Sequence, residues 1–447
     1  MVHLEKSYGF DILVMYCIIR KGNYIMKASE SIPNYAPKLR EYANYTARQI
    51  KDVCKTIGPR APGEEAEKKA QERFAAELGK YADDVKIEPF DLHPKAFLGW
   101  IRLCAIIMII ANGVFFAGTF IPGAPSWLPV IPLALSLICL FFIVTEFLFY
   151  GETLDPFFPK RTSHNVVARY NAKATAKKRI IVSGHVDSSY EWRYTYLGGP
   201  PLITTVIGGA VAGIVIALVA EIYSVATGNT GSLLIDILRW VMLAWCILFG
   251  AAIFFLNYKL PVEGANDNLT GSVASIAVMK YLKDNDLRFE DVEVWTLLTG
   301  SEEAGLRGAK AFAKEHKKEL EDMETVFIGV DTLRDYDFYA IYSRDMTFTV
   351  KSDAQVCALL KQAALNAGLD LPYKAIFLGA SDAAAVCKAG FKGATLAAMD
   401  PAPARYYHTR LDTGDNLDLK SIETGINIML ESVFLYDEQG LKDNYNA

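Results

Sequence analysis

Four long apolar runs constrain this chain more than any other feature. Phe97–Ile121, Trp127–Phe149, Pro201–Ala226 and Leu233–Leu256 each supply about the 20 residues needed to cross a bilayer core. Helices of a water-soluble domain rarely stay apolar on all sides for so long, so lipid is the expected surrounding. Pro122-Gly123-Ala124-Pro125-Ser126 joins the first two runs, and Thr227-Gly228-Asn229-Thr230-Gly231-Ser232 the last two. Each pair is therefore a hairpin that returns the chain to the side it left. The intervening segments can then assemble into one domain on one face of a bilayer. The composition agrees, because 447 residues exceed one average domain and 52% hydrophobic content is high for a purely soluble protein. Net charge is only −5 with both signs mixed along the chain, which points away from a nucleic-acid partner.

Charge bias assigns the face. Lys95, Arg102, Lys160, Arg161, Arg193 and Lys259 flank the runs on the domain side, whereas neither hairpin loop carries Lys or Arg. The domain is expected on the cytoplasmic face of a multi-pass membrane protein. Glu221, Asp236 and Arg239 lie inside the runs but nearer the loops than the midplane, and Asp236 and Arg239 are spaced to pair on one helix face. Interfacial anchoring is the expectation, rather than a transport path. Cys17, Cys54, Cys104, Cys139, Cys246, Cys357 and Cys387 show no CxxC spacing and read as reduced thiols, neither zinc ligands nor a disulfide framework.

The segments divide as an N-terminal extension (1–36), a first part of the domain (37–96), hairpin one (97–149), a second part (150–200), hairpin two (201–257) and a third part (258–440). Arg20–Ile25 back-translates to a purine-rich ribosome-binding stretch with an AT-rich spacer. Translation is expected to start at Met26, and the extension to be disordered or, before that residue, untranslated. Helical spacing over Pro37–Ile57, a Gly58–Gly63 stop, a second helix over Glu64–Tyr81 and an alternating strand over Asp84–Phe90 open the domain as α/β material.

Chemistry-bearing residues stand where strands end. Val292–Leu297 reads as a strand followed by Thr299-Gly300-Ser301-Glu302-Glu303-Ala304-Gly305. In open α/β sheets that carboxyl edge collects ligands and catalytic groups. Adjacent residues of near-extended chain face opposite ways, so one carboxylate can grip a cation while its neighbour faces a reacting water. An acidic first helical turn, favoured by the macrodipole, explains the pair equally. Lys178–Gly184 reads as a buried strand delivering His185-Val186-Asp187 to the same edge, where Asp187 can accept the ring N–H and orient the imidazole. Val262–Gly271 holds Asp267 in a Gly- and Asn-rich turn at a helix start, able to bridge two cations or merely to cap the helix. Thr325–Asp331 is another strand ending in a carboxylate, and Tyr406–Thr413 places His408 in a polar loop before the helix Leu419–Leu435. Two histidines and three carboxylates, one bridging, suit a pair of Zn2+ ions and leave one glutamate free as a base.

In that order HVD, GANDN, GSEEAG, a strand-terminal Asp and YHTRLDT resemble the dizinc exopeptidases of metallopeptidase family twenty-eight, which include aminopeptidases and glutamate carboxypeptidases. The resemblance covers roughly Pro37 to Leu435 outside the four runs. It implies a mostly parallel, mixed α/β sheet flanked by helices, here interrupted by two transmembrane hairpins. It also implies His185 and Asp331 as terminal ligands of one zinc, Glu303 and His408 as those of the other, Asp267 as the bridge, Glu302 as general base and Asp187 as the partner of His185. The expected activity is hydrolysis at a peptide terminus, by an aminopeptidase rather than a carboxypeptidase, since no basic cluster marks a carboxylate pocket. A catalytically silent membrane scaffold and a cyclase-like zinc enzyme on the same fold are the alternatives. Ser381, Asp382, Tyr406 and Tyr407 are candidates for the specificity pocket. The inserted hairpins depart from the family pattern and should hold the site near the bilayer, with anchoring as the role requiring nothing further. Oligomeric state is open.

Overall fold

The computed structural model describes residues 27–121, 125, 127–228, 232–402 and 404–445, so the expected start at Met26 lies outside the described residues. Two amphipathic helices, Tyr35–Thr56 and Glu65–Leu78, open the domain. Strand β1 (Asp84–Leu92) leads to the first hairpin. Strands β2 (Arg161–Tyr170), β3 (Lys178–His185) and β4 (Tyr190–Trp192) lie between the hairpins, and β5 (Leu256–Pro261) follows the second. The rest of the chain adds β6 (Val292–Thr299), β7 (Glu324–Leu333), β8 (Tyr339–Asp345), β9 (Val350–Lys351), β10 (Tyr373–Ala375) and β11 (Lys392–Ala398).

The main sheet runs β1-β2-β6-β3-β7-β11-β8-β10, with β9 on β8. Its centre, β6-β3-β7-β11, is parallel, while β2 is antiparallel to both β1 and β6, and β8 is antiparallel to β11. This is the mostly parallel, mixed α/β sheet the motifs imply. Parallel strands need cover on both faces, and β3 shows it: Ile180 and Val182 join one core, Ile181 the other. Helix Thr270–Asp284 presses so closely on the end of β3 that a Cβ on Gly184 would sit 2.5 Å from the backbone of Gly271 and Ser272. Only glycine admits this approach, which brings the turn carrying Asp267 against the strand carrying His185.

The four apolar runs form helices Gly99–Ala117, Val130–Leu148, Arg193–Thr227 and Leu233–Ile253, each long and apolar enough to cross a membrane. They pack on one another around Met108, Ala217 and Met242. Apolar side chains also face outward, among them Ile110, Val219, Trp240 and Ile247, which is 76% exposed. In water this would be an apolar patch far larger than monomers tolerate, so the four helices are candidates for membrane spans. The third helix starts earlier than the apolar run: Arg193 begins a short helical stretch that Gly199 (φ 61°), Pro200 and Pro201 bend before the chain continues. Arg239 lies 3.2 Å from Asp236, the pairing expected from their spacing.

Basic residues at the helix roots have a structural task. Arg102 and Arg193 donate to the carbonyls of Ile253 and Phe254 at the end of the fourth helix. Lys310 and Lys388 do the same for Tyr150 and Phe149 beyond the second. These cations satisfy carbonyls that a helix end leaves without partners.

Part of the expected extension belongs to the domain. The backbone N–H groups of Ala28 and Ser29 donate to the Glu431 carboxylate, each at 3.1 Å, so residues 28–35 pack on the last helix, Leu419–Gln439. The six described cysteines are free. The β4–β5 ribbon, joining the roots of the third and fourth helices, escaped the sequence reading because strands this short display no period.

His316 touches Glu88 on β1 and Glu319, each at 2.8 Å. Burial opposes its charge, but the two hydrogen-bonded carboxylates outweigh that and raise its pKa. A raised folded-state value means the stabilisation is complete below the unfolded pKa, about 6.5, and is lost as pH rises through the folded value. The Tm advantage of wild type over His316→Gln is therefore expected to be largest near pH 6 and to shrink towards pH 9; a difference independent of pH contradicts this.

Candidate metal centre

Register brings the strand ends level. His185 pairs with Thr299 across β3 and β6, and Ser183 pairs with Gly329 across β3 and β7, so His185 and Asp331 stand two residues on in one row. The turn before helix Thr270–Asp284 adds Asp267, the turn after β6 adds Glu302 and Glu303, and the loop before the last helix adds His408. All five expected metal ligands meet. His185, Asp267 and Asp331 form one group, and Asp267, Glu303 and His408 a second, with the ligand atoms of each group within 4.8 Å of one another. Asp267 belongs to both.

The contacts have the character of a cation site. His185 Nε2 lies 3.1 Å from Asp267 Oδ1, and His408 Nε2 lies 2.9 Å from both Asp267 Oδ2 and Glu303 Oε1. Yet Asp267 Oδ2 and Glu303 Oε1 are buried without a hydrogen bond. Two acceptors and an imidazole nitrogen crowd together without donor alignment, which is what side chains aimed at a shared cation do. Electrostatics agree. Burial pushes the Asp331 carboxyl up to about 7, with Asp267 adding to the effect. Burial also disfavours a charged His408, but Glu303 and Asp267 outweigh it and push that imidazole up to about 10. Such a site is short of positive charge, and imidazole with carboxylate oxygen is a donor set zinc accepts.

Glu302 belongs to neither group. Its Oε2 is 4.0 Å from His185 Nε2, and burial, reinforced by Asp382, Glu303 and Asp331 and opposed by His185, raises its pKa well above the usual carboxylate range. A carboxyl so placed is suited to exchange a proton with a neighbouring water.

Asp187 has a further task beside the one expected. Its oxygens accept the backbone N–H groups of Glu302 at 2.9 Å and Glu303 at 3.0 Å. The His185 ring, by contrast, is 3.5 Å from Oδ1 and 3.3 Å from the Asp187 carbonyl. Asp187 therefore sets the loop that presents both glutamates. Asp187→Ala is expected to lower kcat/KM or zinc affinity by about 10- to 100-fold, checked by titration of zinc and steady-state kinetics; unchanged values contradict it.

Three supporting residues went unread in the sequence. Arg60, fully buried, donates to the carbonyls of Val186, Glu263 and Gly264 and so clamps the His185 strand to the Asp267 turn. Glu67 accepts the N–H and the hydroxyl of Ser301. Asp412, within the YHTRLDT stretch, accepts the N–H groups of Asn266 and Asp267. Of the specificity candidates, Ser381 bonds Asp345 and Tyr406 bonds Asp335, both structural. Tyr407 stacks on His408 at 3.9 Å, and Asp382 accepts from Thr299 while its Oδ1 stays unpartnered.

The fold is that of the zinc exopeptidases, a mostly parallel mixed α/β sheet flanked by helices. Residues 252–433, which carry Asp267, Glu302, Glu303, Asp331 and His408, match the model of peptidase family M28, and the resemblance read from the motifs holds. His185 and Asp187 precede that match. The fold is similar to a zinc aminopeptidase from Bacillus subtilis (15% identity, TM-score 0.51, covering 90% of this chain and 95% of that one). It is also similar to an aminopeptidase from Aneurinibacillus sp. strain AM-1 (16%, 0.50, 89% and 93%) and to a glutaminyl cyclase from Fimbriiglobus ruber (14%, 0.51, 88% and 95%). A comparison with curated proteins finds no match.

Proposed function

We propose that the chain is a membrane-anchored, zinc-dependent aminopeptidase holding two zinc ions, with His185 and Asp331 on one, Glu303 and His408 on the other, and Asp267 between them. The observation that carries this reading is the sharing of Asp267 by two ligand groups. Zinc bound there would acidify a water and polarise the scissile carbonyl. Glu302 takes the proton from the attacking water and returns it to the leaving amine. Asp187 holds Glu302 and Glu303 in place through their amides, and Arg60 and Asp412 keep the Asp267 turn against β3.

A free amine, rather than a free carboxylate, suits the surroundings. Asp382 adds an unpartnered carboxylate oxygen near Glu302. The neighbouring arginines are committed elsewhere: Arg410 to Glu191, Arg334 to Asn416 and Arg60 to backbone carbonyls. The peptidase domain is assembled from 37–96, 150–200 and 258–440, with residues 28–36 packed on it, and hairpins 97–149 and 201–257 anchor it, with the basic roots on the cytoplasmic side.

Detergent-purified protein, assayed for zinc and given a peptide library blocked at either end, with and without chelator, tests this. Two zinc ions per chain and chelator-sensitive release of unblocked N-terminal residues are expected. Release from the carboxyl end overturns the aminopeptidase assignment, one zinc with cyclisation of N-terminal glutamine favours the cyclase-like alternative, and no zinc with no turnover favours the scaffold.

A further inference from the structure

All four span roots meet at the candidate centre. Phe97, one residue before the span N-cap, packs on Gly305, where a Cβ would lie 2.9 Å from its ring. Tyr150, two residues past the second span, packs on Phe97 with ring centroids 4.7 Å apart. Trp192, directly before the third helix, meets His408 edge-on at 4.4 Å, donates its backbone N–H to the His408 carbonyl and packs on Phe255 at the end of the fourth. The cleft beside Glu303 is walled by Pro94, Leu98, Tyr190, Leu256 and Tyr258. Leu98 is the N-cap of the first span, and Leu256 follows the fourth by three residues.

A chain can leave and re-enter a bilayer only at its surface, so residues within two or three positions of a span end lie at headgroup depth. Tyr and Trp are the side chains that settle there. Here they build one wall of a metal centre. Lys95 and Arg102 sit over the Tyr258 ring at 5.8 and 5.2 Å, placing positive charge at the lip, where anionic headgroups would lie. Among the described residues lining this wall, only Glu303 is charged.

We propose that this cleft takes its substrate at the bilayer surface: a membrane-anchored peptide whose N-terminal residue is apolar, with only a short stretch of chain between the cleaved bond and the lipid. The inference rests on the zinc aminopeptidase reading and adds where the substrate comes from. An apolar first side chain would match the leucine and aromatic wall, whose space of about 10 Å³ beside Glu303 must widen to admit it, and the remaining chain would run towards the roots into the membrane. Sharing a bilayer with the substrate also raises its effective concentration, but anchoring alone would not demand nearness of the site to the lipid.

Spacer length separates those two effects. Full-length protein in phosphatidylcholine–phosphatidylglycerol vesicles is given leucyl peptides carrying a palmitoyl anchor behind spacers of increasing length, together with an unanchored leucyl peptide. At roughly 3.3–3.6 Å per extended residue, a five-residue spacer reaches less than about 18 Å and a twelve-residue spacer about 40 Å. Cleavage behind spacers of about five residues is expected, with kcat/KM at least tenfold above that of the unanchored peptide. Leu98→Asn with Leu256→Asn is expected to raise KM for N-terminal leucine substrates by a larger factor than for N-terminal serine substrates, and an equal rise for both removes the apolar first residue from the proposal. Cleavage only behind spacers longer than about twelve residues, or equal kcat/KM for anchored and free peptides, overturns the proposal while leaving the aminopeptidase reading intact. Failure to cleave even the free peptide by zinc-loaded protein removes both.

Discussion

Glu302→Gln is expected to retain zinc and to lose at least about a hundredfold in kcat, the lower range for a general acid–base group. The reason is positional. Glu302 stands beside both ligand groups without belonging to either, 4.0 Å from His185 Nε2, and its loop is fixed by Asp187 through two backbone amides. Glutamine keeps the volume and the loop but can neither take a proton from water nor return one to an amine. Elemental analysis alongside kcat separates the two roles a glutamate could have here. Zinc lost in proportion to activity would make Glu302 a ligand, and full activity would remove it from the chemistry altogether.

Asp267→Ala is expected to strip both zinc ions, whereas Glu303→Ala should remove only one. Asp267 offers Oδ1 towards His185 and Oδ2 towards His408, so deleting it takes one ligand from each group at once. It would also leave two imidazoles facing each other across a buried space, with only Glu303 and Asp331 left between them to hold a cation. Zinc titration of the two variants against wild type reads the difference directly. Equal losses from Asp267→Ala and Glu303→Ala would show that the two groups are not joined through Asp267.

Much of the site was legible because its residues sit at strand ends, where local sequence reports position. A buried run such as Lys178–Gly184 followed by His185 announces a strand and what it delivers, and the same holds for Val292–Thr299 before Glu302 and for Thr325–Asp331. Periodicity and length announced the four apolar helices for a similar reason: a helix apolar on all sides leaves a signature in every residue of the run. The supporting shell carried no such signature. Arg60 looked like part of a helix stop, Glu67 like one more solvated glutamate on a polar helix, and Asp412 like a loop carboxylate. Each acts on residues more than a hundred positions away, through backbone groups that every residue possesses. Asp187 was singled out for its histidine, but the two amides it binds belong to a loop 115 residues downstream.

Local chemistry alone therefore determined which side chains could bind metal, where the apolar hairpins lie and which kind of sheet joins them, because period, turn residues and strand-end motifs are short-range properties. Tertiary structure decided the rest: that Asp267 stands between both histidines, that one aspartate sets two glutamates by their backbone, and that all four roots of the apolar helices close around the same cleft. Those are matters of which distant segments touch, and contact between distant segments is settled by packing over the whole domain rather than by any stretch of chain that takes part in it.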